Sequence, residues 1–389
     1  MTKGWDTKTL GDVLEKTETV NPLQSPTSTF KYIDVSSVSN ATFQIEATQH
    51  LKGKDAPSRA RKLVRANDIL FATIRPTLQR IAIVPEHLDK QVCSTGYFVL
   101  RPKPGMDHRF IFYSLFTESF TGQMESLQKG ASYPAVTDGD VKRQVIPVPP
   151  LPEQQRIVGI LDKAFEGIAT AKANAEQNLR NARALFEGYL WEVFGPNGKG
   201  WPTQKLGAVC EFEGGSQPPK SNFVHAPKTG YVRFLQIRDF GSDKYITFIP
   251  ESKKNRLCRN DDIMIGRYGA SVGKILTGQA GAYNVALIKT IPVARVLDRG
   301  FFHHYLMSDA FQERLRNVAD RSAQNGFGKD DIQNFPIPLP SLREQQDIVS
   351  RLGLIRAKTQ RLESTYQQKR DALDGLKKSL LHQAFTGGL

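Results

Sequence analysis

The chain is written twice, and that constrains its fold more than any other feature. Trp5, Leu10, Gly11 and Val13 return as Trp201, Leu206, Gly207 and Val209, 196 residues later. The run Asn67-Asp68-Ile69-Leu70-Phe71 returns as Asp261-Asp262-Ile263-Met264-Ile265 at an offset of 194, and from residue 109 the offset settles at 191. Phe110, Leu115 and Phe120 then match Phe301, Leu306 and Phe311. Between Ile146 and Leu161, ten of sixteen positions are identical to their partners, too many for chance. A fold made of one unit in two copies follows, and 389 residues suffice for two ordinary cores.

Each copy has the same internal order. Short β-type runs interleaved with Gly, Pro and Asn turns come first: Phe30 to Val35, Ile69 to Ile74 and Tyr97 to Arg101, then Val232 to Ile237, Ile263 to Tyr268 and Ala286 to Ile291. An amphipathic helix is predicted around Phe110–Phe120 and Phe301–Phe311. A proline-marked strand exit follows, Ile146-Pro147-Val148-Pro149 or Ile337-Pro338-Leu339-Pro340. A helix of about forty residues then runs to Phe194 or Phe385. The expected segments are 1–150, 151–200, 201–341 and 342–389, with a turn-rich join at Gly195 to Gly200.

The long helices carry start signals. Pro152 suits the first helical position, and Ser341 with Glu344 reads as a capping box. Glu153 and Glu344 place negative charge at the positive end of the helix dipole. An apolar seam runs through Ile157, Leu161, Ala164, Ile168, Ala171, Ala175, Asn178, Ala182, Leu185 and Tyr189 in the first helix. In the second it runs through Ile348, Leu352, Ile355, Thr359, Leu362, Tyr366, Lys369, Leu373, Leu376 and Leu380. Its heptad spacing predicts a coiled coil, a rod of roughly 60 Å holding two heads apart. Antiparallel with ends aligned, the seam sets Ala164 against Leu373, Ala182 against Ile355 and Asn178 against Thr359. A parallel register also sets small against large, so the pattern leaves direction open.

Charge points to polyanions. The net charge is +14, spread as +4 over 1–150, 0 over 151–200, +6 over 201–341 and +4 over 342–389. Neither a membrane span nor an apolar leader is visible, which predicts a cytoplasmic protein. Cys93, Cys210 and Cys258 are odd in number and lack metal-ligand spacing. Catalytic motifs fail one by one. Gly269 to Lys274 is one residue short of a phosphate loop, and Ile275 stands where Ser or Thr should hold magnesium. Val148-Pro149-Pro150-Leu151 lacks both ends of an amino-methyltransferase motif. Glu251-Ser252-Lys253 has no upstream carboxylate to make a nuclease site, and adjacent His303 and His304 cannot share a helix face as metal ligands.

Nucleic-acid signals, by contrast, occur twice. Residues 51–65 hold Lys52, Lys54, Arg59, Arg61, Lys62 and Arg65, and residues 251–260 hold Lys253, Lys254, Arg256 and Arg259. At the 194 offset Arg59, Lys62 and Arg65 coincide with Lys253, Arg256 and Arg259, each cluster just before the Asp-Ile strand. Cations there would neutralise phosphates, and an arginine reaching a groove could grip guanine with two bonds. Further candidates follow the strand: Arg75, Gln79 and Arg80 in the first copy, Arg267 and Tyr268 in the second. The matching loops Gly130-Ala131-Ser132-Tyr133 and Arg321-Ser322-Ala323-Gln324-Asn325 add Tyr133, Gln324 and Asn325. One basic run alone would read as a solvated surface; its duplication favours binding.

The entry motifs PLPEQQRIV (Pro150 to Val158) and SLREQQDIV (Ser341 to Val349) resemble the signature of Type I restriction specificity subunits. So do Trp5…Leu10-Gly11-Asp12-Val13, Asn67 to Pro76, and Gly214-Gly215-Ser216-Gln217-Pro218-Pro219-Lys220. In the first copy Thr17 to Pro22 replaces that glycine-rich run. The resemblance spans essentially the whole chain. It implies two α/β (α+β) target-recognition domains in tandem, each followed by a long helix, the helices forming an antiparallel coiled coil with pseudo-twofold symmetry. It implies a non-catalytic subunit that reads double-stranded DNA and docks two modification (methyltransferase) subunits and restriction (translocase/endonuclease) subunits. No cofactor is implied on this chain; S-adenosylmethionine, ATP and Mg belong to the partners. Residues expected to dock partners or build the coil are Glu153, Gln154, Gln155, Ile157, Leu161, Ile168, Leu185, Glu344, Gln345, Gln346, Ile348, Leu352, Leu362, Leu373 and Leu380. Alternatives are a structural adaptor on a duplicated coiled-coil scaffold without a DNA role, and the specificity chain of a related Type II-like system.

Overall fold

The computed structural model describes residues 4–195, 200–321 and 325–389; most of the Gly195-to-Gly200 join and Gln324 lie outside them. The chain divides into two units that are not simply its two halves. One comprises Met1–Ala175 with Gln367–Leu389, the other Glu176–Tyr366. Each long helix, Leu151–Phe194 and Leu342–Thr386, therefore gives one portion to each unit.

In the first unit the opening strand Asp6–Thr9 pairs antiparallel with the proline-marked strand Val145–Val148. Thr9 and Asp12 form a capping box that starts the short helix Leu10–Val13. The central strand Ile69–Ala72 is buried on both faces, and its period of two divides them. Ile69 and Phe71 meet Ile111, Leu115 and Phe120 of the helices, while Leu70 and Ala72 meet Ile33, Val38 and Tyr97. It lies between Ile81–Ile83 and Tyr97–Leu100, both antiparallel. A second, mixed sheet orders Gln49–Lys52, Thr29–Ile33, Val92–Ser94 and Ala60–Leu63. The second unit repeats the plan. Thr203–Lys205 pairs with Pro336–Pro338, Ile263–Gly266 lies between Leu287–Pro292 and Ile275–Leu276, and a mixed sheet orders Phe248–Pro250, Tyr231–Leu235, Gly281–Tyr283 and Leu257–Cys258. Its central strand sends Ile263 and Ile265 one way and Met264 the other.

One expectation changes here. The single amphipathic helix is a pair in each unit, His108–Ser114 with Glu118–Leu127 and Arg299–Met307 with Asp309–Ala319. The break falls where a hydroxyl competes for the backbone: the Thr117 side chain caps the Phe120 amide, and Ser308 donates to the Tyr305 carbonyl. The Gly269 to Lys274 turn holds a short 3-10 segment and leads into the strand Ile275–Leu276, not into a helix. The three cysteines are free and buried, and burial pushes the Cys93 thiol up to about 12.

The long helices pack antiparallel within each unit. In the first, Ile157, Val158 and Leu161 meet Leu381, Ala384 and Phe110. In the second, Ile348 and Leu352 meet Leu190, Val193 and Phe301. The ring pair Phe110–Phe385 at 4.8 Å in one unit is matched by Phe194–Phe301 at 5.0 Å in the other. The seam is not the heptad stripe. Past Ala175 the buried positions are Ala182, Leu190, Val193 and Phe194, with Glu176, Leu179, Phe186 and Tyr189 partly covered, leaving Asn178 exposed and Leu185 64% exposed. Along the second helix the positions Thr359, Glu363, Tyr366, Arg370, Leu373 and Lys377 face inward, while Leu362, Lys369 and Leu376 are exposed. A straight helix drifts about 20° per heptad against a 3.5 period, so the seam steps by a residue and follows an eleven-residue repeat. Register moves with it: the Thr359 hydroxyl donates to the Ala182 carbonyl at 3.2 Å, one turn away from Asn178. Ile157, Leu161, Ile168, Ile348 and Leu352 are buried as expected, and Leu373 and Leu380 are partly so.

The entry motifs prove structural at their middle glutamine. Gln154 is 1% exposed; its Oε1 accepts from the Asp107 amide at 2.9 Å and its Nε2 donates to the Pro149 carbonyl at 2.8 Å. Gln345 does the same with the Asp298 amide at 2.7 Å and the Pro340 carbonyl at 2.8 Å. Asp107 and Asp298 are the caps of the helices His108–Ser114 and Arg299–Met307, so one side chain ties each of these helices to a long-helix entry. Gln154 and Gln345 are thus pins, not docking groups; Gln155 and Gln346 are the exposed members. Glu153 pairs with Arg156, and Glu344 closes the box on Ser341. The first long helix begins at Leu151, which puts Pro152 second. Gln154→Ala or Gln345→Ala leaves a buried amide and a buried carbonyl unpaired. Each is expected to cost about 1–3 kcal/mol, seen as a lowered Tm.

Candidate nucleic-acid interface

In each unit a strand exit, a loop and a basic segment converge on one turn. The Thr95 amide donates to the Arg59 carbonyl at 2.8 Å, and its neighbour Gly96 accepts from the Thr73 amide at 2.9 Å. Beyond Thr73, Ile74 bridges to Ala135, and the Arg75 amide donates to the Pro134 carbonyl. The Arg75 guanidinium lies 5.1 Å from the centroid of the Tyr133 ring, which is 71% exposed. Arg75 has φ of 50°, in the left-handed region that costs a side chain energy unless its surroundings hold it.

The second unit builds the same junction from other residues. The Tyr283 amide donates to the Arg256 carbonyl at 3.1 Å, and the Arg267 amide donates to the Ala286 carbonyl at 2.9 Å. Tyr268 bridges to Gly326, the counterpart of Ala135. A Cβ at Gly326 would stand 2.5 Å from the Tyr268 ring, so only glycine permits that approach. Arg267 stacks on Tyr268 at 4.9 Å and anchors its Nε to the Phe327 carbonyl at 3.0 Å. Asn325, exposed and at φ of 44°, accepts from the Gly269 amide.

The basic residues separate by what they already hold. Arg65 and Arg259 occupy the same turn, each amide bonded at 2.8 Å to the aspartate that opens the strand, Asp68 or Asp262. Lys62 is a correction. Its side chain is only 17% exposed, and its ammonium is spent on Asp138 at 2.8 Å and the Tyr97 carbonyl at 2.6 Å. Its counterpart Arg256 pairs with Glu213 at 2.8 Å but stays 56% exposed. Arg80 is turned inward onto the Val38 carbonyl, and Arg61 bonds the neighbouring Ala60 carbonyl. Arg65 pairs with Glu18 yet remains 53% exposed. Arg59, Lys253, Lys254 and Arg259 are exposed, with no side-chain hydrogen bond or ion pair among the described residues.

Sequence reasoning missed the acidic partners. Glu18 sits between Arg65 and Arg101, and the Arg101 bond holds its carboxyl below the usual value. Glu213, one repeat later, sits between Arg256, Lys289 and the Tyr283 hydroxyl. Their recurrence 195 residues apart was the available signal. Arg101 is 7% exposed and forks onto Asp68 at 2.9 and 2.8 Å, fixing the aspartate that shapes the Arg65 turn.

Two basic junctions stand on a duplicated mixed α/β unit, with no catalytic constellation among the described residues at either. The chain belongs to the Type I restriction modification DNA specificity domain family, whose model matches residues 2–179 and again 198–369. Its members are the non-catalytic, specificity components of Type I restriction–modification complexes. Among relatives, the MjaVIII specificity subunit of Methanocaldococcus jannaschii is 25% identical over 72% of this chain and 70% of its own length. The EcoKI specificity subunit of Escherichia coli K12 is 27% identical over 76% and 69%. Among solved structures, a chain from work on complex assembly and conformational transition of the type I R-M system is 31% identical, with a TM-score of 0.88 over 100% of this chain and 99% of its own. The HsdS subunit from Thermoanaerobacter tengcongensis is 32% identical, with a TM-score of 0.71 over 100% and 98%. No helix among the described residues is long and apolar enough to cross a membrane.

Proposed function

We propose that this chain reads a bipartite target in double-stranded DNA, one half-site per unit, and docks the subunits that do the chemistry. One observation carries the reading. The junction of strand exit and loop is built twice on the same backbone bonds, each copy beside a basic segment, but with different side chains: Arg75 and Tyr133 in one unit, Arg267, Tyr268 and Asn325 in the other. Common scaffolding with divergent tips is what two readers of different sequences require. The free cations beside each junction supply the sequence-independent hold on phosphates. Methyltransferase and restriction subunits bring S-adenosylmethionine, ATP and Mg. The long-helix entries, nearly identical between repeats, present Gln155 and Gln346 to a partner common to both. The test is the pattern of methylated adenines in a genome modified by the assembled complex. Two unlike short motifs separated by unread bases support the reading. One contiguous motif, or methylation by the complex without sequence preference, sinks it.

A further inference from the structure

The contacts between the long helices carry information about which partner each helix accepts. In the first unit Lys172 pairs with Asp374, and in the second Arg183 pairs with Glu363 at 2.6 Å. At the 191 offset Lys172 becomes Glu363 and Arg183 becomes Asp374, so the two ion pairs are copies of one contact with the charges exchanged. The first repeat supplies both cations and the second both anions. A second contact obeys the same rule. Lys377 lies 5.2 Å from the Phe165 ring, and Arg356 lies 5.8 Å from the Phe186 ring. Phe165 and Arg356 are equivalent positions, as are Phe186 and Lys377. Here the first repeat supplies both rings and the second both cations.

We propose that this surface selects the opposite repeat and rejects a second copy of its own. Were a first-repeat helix to pack on another first-repeat helix in the same register, Lys172 would face Arg183 at both ends. Were two second-repeat helices to pair, Glu363 would face Asp374 and Arg356 would face Lys377, again at both ends. Both ion pairs turn from attraction to repulsion on either homotypic pairing, and the cation–ring contacts do so between second repeats, whereas two first repeats would set Phe165 against Phe186. Each exposed ion pair is weak alone, and discrimination comes from their acting together and in opposite senses. The two repeats share their apolar entry contacts, Ile157 and Leu161 matching Ile348 and Leu352, so those entries by themselves would tolerate the wrong pairing. The charges supply what the entries lack. A first repeat emerging during synthesis would be held for the second repeat of its own chain and would not join a neighbouring one.

The test starts from the folded full chain. A protease site placed in the join between Phe194 and Trp201 lets the two repeats be separated covalently after folding. Two preparations with different mass labels are cleaved, mixed and followed by native mass spectrometry. Exchange between the labels with only first-with-second pairs is expected, homotypic pairs staying at least about tenfold below the statistical share. Arg183→Glu gives the first repeat one cation and one anion at the paired positions, so two copies of it match while its match to Glu363 is lost. Homotypic first-repeat pairs should then rise about tenfold. Adding Lys172→Glu, Glu363→Lys and Asp374→Lys to that variant exchanges every ion-pair charge between the repeats and should restore exclusive first-with-second pairs, which separates selection from misfolding. A statistical mixture from the unaltered protein, halves that separate without pairing, or an Arg183→Glu chain that partitions unchanged would each overturn the proposal.

Discussion

Arg101→Met should be the most destabilising single substitution around either junction, by about 3–5 kcal/mol. The guanidinium is nearly buried and satisfies both oxygens of Asp68, whose side chain is 2% exposed. Removing it leaves that carboxylate with the Arg65 amide alone, because burial denies it water. Methionine fills the volume but donates nothing. Glu18 adds a pH signature. Its folded pKa lies below the ordinary 4.5, so its share of the stability is present above that value and lost as pH falls through the lowered one. In Arg101→Met that acid-side loss should shrink. Denaturant midpoints measured between pH 7 and 3 check both statements. A variant within 1 kcal/mol of the parent would mean the aspartate finds another partner.

The largest effect on binding is expected from Lys253, Lys254 and Arg259 changed together to alanine. All three are exposed and spend no side-chain bond inside the protein, so the fold should be nearly indifferent to their loss. Three phosphate contacts release about 2.7 counterions, so the slope of log affinity against log salt should fall by roughly 2.7. At ~0.1 M salt that is on the order of a hundredfold or more in affinity for duplex DNA. The assembled complex titrated against duplex from low to moderate salt gives the number. Lys62→Ala provides the contrast. Its ammonium bridges Asp138 and the Tyr97 carbonyl, so it should lower stability and leave the slope in place. A slope unchanged in the triple variant would make the second basic segment a solvated surface.

What the sequence made visible was whatever the repeat wrote twice. The strand Ile69–Ala72, the Glu-Gln-Gln helix entries and the equivalence of the Tyr133 and Asn325 loops were all legible as pairs. Direction and register of the long helices were not, because small-against-large pairing is satisfied both ways. The antiparallel answer lies in single contacts such as Thr359 on the Ala182 carbonyl. The heptad reading failed at Asn178, Leu185 and Leu362, where a side chain's apolar character carried less weight than the helix's own 3.6-residue turn. Gln154 and Gln345 looked like surface signature residues since motif identity says nothing of burial. Lys62 looked like a phosphate ligand for a related reason: a positive charge in sequence does not disclose the carboxylate 76 residues away that consumes it.

The claim that each unit reads its own half-site is tested most directly by mapping methylated adenines after altering one junction alone. Arg267→Ala with Tyr268→Ala removes the stacked pair at the second junction and lies wholly within the second unit. Sequencing a genome modified by the complex that carries this variant should show one half of the target relaxed or changed, with the other half and the number of unread bases kept. Loss of preference in both halves together, or a target unaltered at every position, would contradict the account.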